Sequence, residues 1–419
     1  MRVGEIANEG ARQYGKPLDN VRVLALEQMA AMPFATQVLA RLGADVVKVE
    51  HPVNGESGRG SSPSMQDPEG RVVGATFLRS NLGKRSIGVD IRTRQGRDLI
   101  LRLAPRFDVV AENFKAGTLD RLGLGYDDVS AVHPGVVYAS VSGFGAEASV
   151  YGEWPAYASI VEAMSGIYDF MRRPEERPRA NPVGALGDIS TALFSVIGIL
   201  AALRHRDSTG LGQRVDLAMY DATVAMTDIV PNFFSLGWER HPAPAPHLIA
   251  SFKAKDGWFV MQMVREHQFE RLADLLGRVE WKTDPRFAER TGWDVHLDDV
   301  LRPAIETWAA GMTKREAAAA LSDAGIAAGP VHEAADVVAD SHLHARHMLV
   351  EMPRPDGVEA PVLIPGNPIK MSRVAEGPET RVPWVGEHTD DVLRSELGCS
   401  EAELDELRAA GVINTSSLI

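Results

Sequence analysis

The chain has 419 residues, a formal net charge of −13 and one cysteine, Cys399. That length makes two domains the default and leaves room for a sizeable core. The acidic balance argues against non-specific nucleic-acid binding, and the lone cysteine excludes an internal disulfide and a cysteine-rich metal site, which fits a reducing, cytoplasmic compartment.

From the N-terminus, MRVGEIANEGARQYGKPLDN shows no apolar core of signal-peptide length. Val21–Leu26 reads as a buried strand, 33–42 as a helix with proline in its first turn, and Asp45–Glu50 as a second strand. A Gly/Ser/Pro-rich loop, His51 to Pro68, follows. Strands are predicted at Arg85–Ile91, Asp108–Glu112 and Val136–Val141, with a helix over Gln95–Leu103. This alternation implies parallel βαβ units. Helices are predicted over Ala156–Phe170 and Ile189–Arg204, a strand over Gln213–Tyr220 and a helix over Ala222–Thr227. The longest apolar run, Ala192 to Leu203, is too short to span a bilayer, so no membrane partner is expected. Pro231 to His247, with several prolines, reads as a link between domains. Beyond it come a strand at Gly257–Met263, helices at Glu266–Leu276, Val300–Ala310 and Lys314–Ala324, and a helix-rich tail from Pro383.

Asp188 stands out, in Gly184-Ala-Leu-Gly-Asp-Ile-Ser-Thr, directly before the long apolar helical run. A carboxylate there is either a helix N-cap, accepting the next backbone N–H groups, or a nucleophile. Position alone favours the cap.

Seven stretches, in order along the chain, decide otherwise: VLALEQMAAMPFATQVLARLGADVVKVEHP, NLGKRSIGVDI, ENFKAGTLDRLGLGY, PAYASIVEAMSG, PVGALGDISTALFSVIGILAAL, DSHLHARHM and VGEHTDDVL. Together they resemble the family III CoA-transferases, the group named for carnitine and bile-acid CoA-transferases, from about Val21 to Ile413. The resemblance implies an α/β fold with a Rossmann-like parallel-sheet large domain formed by both chain ends. It implies a smaller α+β domain inserted between them, and two ring-like protomers interlocked as a homodimer. The corresponding boundaries are 1–225, 226–339 and 340–419.

The same resemblance places Asp188 on the family's catalytic aspartate. A carboxylate there attacks a thioester to give a mixed anhydride, which conserves the acyl-transfer energy. Lys115 and Arg121 match phosphate-contacting positions; they follow a strand end, where parallel sheets bind ligands, and suit the phosphates of coenzyme A. Asn113 and Phe114 match residues lining the pantetheine and nucleotide path, and Arg92 one near the adenine. His51 stands where some members carry an arginine beside CoA; histidine is a weaker phosphate partner at neutral pH. Coenzyme A enters as thioester substrate, and no metal or tightly bound cofactor is implied.

Departures from the family pattern narrow the reading. Formyl-CoA transferase-like members carry a glutamine near the acyl site where this chain has Ala30, and a Gly-rich loop where this chain is Pro-rich, which disfavours oxalate or formate. The racemase branch uses a His-Asp pair where this chain has Tyr157-Ala158, and tyrosine is a poor base near neutral pH. Transfer of CoA from an acyl-CoA to a carboxylic acid is the reading that results. The alternatives are a 2-methylacyl-CoA racemase or epimerase, and a CoA-binding subunit that needs a paralogous partner.

Overall fold

The computed structural model describes residues 1–414 except 148, 171, 173, 174, 183, 228 and 238–244. Eight strands form before residue 219: β1 (Arg22–Leu26), β2 (Asp45–Glu50), β3 (Ser64–Gln66), β4 (Val72–Gly74), β5 (Arg85–Gly88), β6 (Val109–Glu112), β7 (Val137–Ser142) and β8 (Gln213–Ala218). Six build one sheet in the order β5-β2-β1-β6-β7-β8, every neighbouring pair parallel; β3 and β4 pair antiparallel apart from it. The inner strands are valine-rich and buried on both faces, as parallel strands covered on each side must be.

One face packs Leu24, Val47, Ile87, Val110 and Tyr138 against Leu99, Leu103, and Val392, Leu393 and Leu404 from the C-terminal helices Thr389–Leu397 and Glu401–Ala409. Thr389 Oγ1 accepts the Gly88 N–H at 2.9 Å, which fixes that segment to β5. The other face packs Val23, Ala25, Val46, Ala111 and Val141 against helix Ala31–Arg41 and helix Leu186–Thr209. The latter has 24 residues and is apolar and long enough to cross a bilayer by length and composition; half of its most apolar stretch is buried within the fold. The predicted helix over Ala156–Phe170 is shorter, Ala158–Met164, because Ser165 and Gly166, the latter at φ +86°, end it.

The chain moves outward from β1 to β2 and β5, then returns to the other side of β1 with β6. The order thus reverses between β1 and β6. Open α/β sheets bind ligands at the carboxyl ends of such strands.

Met1–Asn232 and His342–Ile419 form one compact unit, and Phe233–Ser341 a second. The second carries β9 (Leu248–Ala254), β10 (Gly257–Met263) and β11 (Ala327–Pro330) as an antiparallel sheet, β11-β10-β9, over a core that includes Phe252, Phe259, Phe269, Trp293 and Leu321. A last pair, β12 (Leu349–Met352) and β13 (Val362–Pro365), belongs to the first unit.

Candidate active site

A cavity of about 370 Å³ opens where the sheet order reverses. Its wall takes Gln28, Met29 and Ala30 from the turn after β1, Asn113, Phe114 and Lys115 from the turn after β6, Ser142 to Gly145 from the end of β7, and Asp188. Four of the residues expected at the site from sequence, Asn113, Phe114, Lys115 and Asp188, thus meet in one cavity.

The turns are built by side chains that reach backbone. Asn113 Oδ1 accepts the Gln28 N–H, and its Nδ2 donates to the Gln28 carbonyl, each at 2.8 Å. Its amide therefore joins the β1 and β6 turns across the switch point. Glu112 Oε2 accepts the Phe114 N–H at 2.8 Å; burial pushes the Glu112 carboxyl up to about 8, the Phe114 bond working against that rise. Met29 sits at φ +62°, unusual for a residue with a side chain. Its N–H is held at 2.9 Å by Glu56 Oε2, which also accepts the Gly58 N–H. Behind them lies a fully buried ionic cluster: Lys84 Nζ is 2.6 Å from Glu27, and Lys48 Nζ 3.5 Å from the same carboxylate and 3.8 Å from Glu56. Burial brings Lys84 down to about 8. Breaking one partner out of such a cluster would leave an uncompensated buried charge.

Asp188 is the third residue of its helix, not its cap. The helix starts at Leu186, and the cap position is Ala185, at φ +53° with no side-chain hydrogen bond. The N–H of Gly187 goes instead to Glu162 Oε1, at 3.0 Å, from helix Ala158–Met164. Glu162 is 1% exposed, and its other oxygen accepts the Tyr168 hydroxyl at 2.6 Å. Among the described residues the Asp188 carboxylate accepts no hydrogen bond. Burial pushes its carboxyl up to about 6; the Arg79 guanidinium pulls it down and the Glu162 charge adds to the rise. Arg79 Nε is itself buried, with no hydrogen-bond partner among the described residues.

The basic residues expected at the site are placed differently from one another. Lys115 Nζ donates to the carbonyl and to Oε2 of Glu153, both at 2.9 Å, with its side chain 46% exposed. Arg121 is exposed on helix Thr118–Leu122, bonds Thr118 Oγ1 at 3.2 Å, and is not in the cavity wall. His51 and Arg92 follow the neighbouring strands β2 and β5 and touch each other, Arg92 Nη2 to His51 Nε2 at 2.6 Å, while Arg92 also pairs with Asp90. They form a second basic spot along the same edge of the sheet, outside the wall of the cavity. Ala30 and Tyr157 do line it. Of the Pro231–His247 segment, Ile229–Ser235 includes a helical start rather than a plain link, and 238–244 lies outside the described residues. Glu162, Glu112 and Glu56 were not singled out from sequence. The one hint for Glu162 is a lone acid within the apolar helix Ala-Ser-Ile-Val-Glu-Ala-Met.

A parallel sheet with a cavity at its switch point and a carboxylate in the wall has the arrangement of an α/β enzyme site. CoA-transferase family III matches residues 18–389, and the chain belongs to that family. It is 35% identical over 387 residues to succinyl-CoA:mesaconate CoA-transferase of Haloarcula hispanica, covering 90% of this chain and 95% of that one. It is 34% identical over 411 residues to succinyl-CoA–D-citramalate CoA-transferase of Chloroflexus aurantiacus, covering 95% and 98%. A CAIB/BAIF family protein from Brucella suis superimposes with a TM-score of 0.79 at 34% identity, over 91% of this chain and 99% of that one. The protein is an enzyme that transfers CoA between an acyl-CoA and an acid, with CoA thioesters as substrates.

Proposed function

We propose that the enzyme moves CoA from an acyl-CoA donor to a short dicarboxylic acid through covalent intermediates on Asp188. The observation that carries this reading is the Asp188 carboxylate itself: half-buried, without a hydrogen bond among the described residues, and in the wall of the cavity that Asn113, Phe114 and Lys115 share. The choice of acid rests on the relatives, whose names give mesaconate and citramalate, both dicarboxylic acids.

The ionised Asp188 oxygen attacks the thioester carbonyl, the C–S bond breaks, and CoA leaves as thiolate with a mixed anhydride on the enzyme. The thiolate then attacks the Asp188 carbonyl carbon, the donor acid leaves as carboxylate, and an aspartyl-CoA thioester remains. The acceptor carboxylate attacks that thioester and expels the thiolate, giving a second anhydride. Attack of the thiolate on the acceptor carbonyl releases the new acyl-CoA and restores Asp188. No proton is lost or gained over the cycle.

Lys115 and Arg121, with Asn113 and Phe114 in the turn between sheet and helix, hold the CoA phosphates and pantetheine in this reading, and His51 with Arg92 the nucleotide end. The homodimer is supported by apolar side chains left open on the first unit: Leu193 and Ile197, one helical turn apart, are 45% and 61% exposed. The test is trapping. Succinyl-CoA alone, followed by hydroxylamine, should label one peptide, the one containing Gly187-Asp188, and an unlabelled peptide would overturn the covalent route.

A further inference from the structure

The first turn of a helix leaves backbone N–H groups without intrahelical partners, and nearby carboxylates compete for them. Here two carboxylates stand at one helix start. Glu162 reaches across from its own helix and accepts the Gly187 N–H at 3.0 Å. The carboxylate of Asp188, the next residue, is left with no hydrogen bond among the described residues. At 1% exposure, Glu162 remains a stable partner because its two oxygens are each occupied, one by Gly187 and one by Tyr168.

We infer that Glu162 is a positioning residue for Asp188: it takes the helix-terminal N–H that would otherwise bind the reacting carboxylate, and sets a second buried negative charge beside it. This rests on the reading of Asp188 as nucleophile. Hydrogen bonds from N–H groups stabilise a carboxylate and make it less basic. A neighbouring negative charge does the reverse. Glu162 therefore does two things in the same direction, and each keeps Asp188 a more basic, more reactive nucleophile.

The charged surroundings are few. Arg79, on the turn after helix Ala75–Leu78, is the opposing cation at Asp188. Lys115 lies in the same cavity wall but is tied to Glu153. Tyr168 faces Glu162 as a donor. On helix Met219–Met226, which packs on the Glu162 helix, Asp221 is acted on by burial and by Asp216.

The two effects separate by substitution. Glu162→Gln keeps an oxygen for the Gly187 N–H and removes the charge. Glu162→Ala removes the charge and frees the N–H to bind Asp188. The Asp188 carboxyl carbon, labelled with ¹³C and assigned by its loss in Asp188→Asn, is titrated in the full-length protein without substrate. The midpoint should fall by at least about half a unit in Glu162→Gln and further in Glu162→Ala. Labelling by succinyl-CoA and hydroxylamine at pH 8 should slow several-fold in the same order. A midpoint unchanged or raised in Glu162→Gln, with the variant folded, overturns the inference. The underlying reading fails separately: transfer retained by Asp188→Asn would remove the nucleophile while leaving the midpoint order standing.

Discussion

Asn113 holds the peptide of Gln28 from both sides, accepting its N–H and donating to its carbonyl at 2.8 Å each. The two residues lie 85 positions apart, at the carboxyl ends of adjacent strands β1 and β6, so one side chain closes the switch point of the sheet. These two bonds take one donor and one acceptor of the amide and leave a second of each, so Asn113 staples the cavity wall and still has capacity for a ligand.

Asn113→Ala would leave the Gln28 N–H and carbonyl without their partner. A loss of about 1–3 kcal/mol in unfolding free energy is expected from the unpaired groups, together with a raised KM for acyl-CoA. Urea unfolding and steady-state kinetics check this; a variant as stable as the parent would mean water replaces the amide at no cost.

Lys115 and Arg121 should now differ. Lys115 is in the cavity wall and Arg121 is not. Lys115→Ala should raise the acyl-CoA KM by roughly 10-fold or more, as expected for a lost charged contact, and Arg121→Ala by less. Equal KM effects would place the phosphates further out along helix Thr118–Leu122 than the cavity suggests.

Activity should fall on the acid side near pH 6. Burial raises the Asp188 carboxyl to about 6, and in the proposed route only the ionised form attacks. A kcat/KM profile for acyl-CoA with an acid limb near the model-peptide value of about 4 would show that the cavity does not desolvate Asp188 in solution.

The same rise has a stability consequence. The folded protein holds this proton more tightly than the unfolded chain, so stability is fullest below 3.8 and is lost as pH climbs to about 6. Above that window the buried ionised carboxylate costs on the order of 3 kcal/mol. Asp188→Asn should therefore raise the urea midpoint at pH 8 and leave it nearly unchanged at pH 3.5. Since Asp188 caps no helix N–H, the substitution removes no hydrogen bond.

Ile197→Asp puts a charge on the exposed apolar strip of the long helix. If that strip is the contact between copies, light scattering should find a dimer in the parent and a smaller species in the variant. Identical masses would move the contact to another face.

The alternating part of the chain was legible because its patterns are local. Val-rich β1, β2, β6 and β7 appear within a residue or two of where sequence places them; Asn113, Phe114 and Lys115 follow on the turn after β6, and Asp188 reaches the same cavity from the start of its helix. The start of the Asp188 helix was not legible. Its cap is Ala185 in a left-handed conformation, which carries none of the usual cap side chains, so the acid three residues on took its place in the reading. Strand β9 was missed because Leu-Ile-Ala-Ser-Phe-Lys-Ala follows a run of prolines and its alternation shows only against β10. Glu162 was out of reach for a different reason: nothing local tells which N–H a buried acid will find 25 residues later.

The Lys115–Glu153 pair changes how an anion enters this site. Lys115 is already neutralised by a carboxylate whose side chain is 92% exposed. If Lys115 takes a CoA phosphate, as proposed, that phosphate replaces Glu153 on the ammonium rather than meeting an unpaired charge. The displaced carboxylate already stands almost wholly in solvent, so its release costs little desolvation. On that reading Glu153 is a resident competitor, and a chain lacking it would bind the phosphate more tightly.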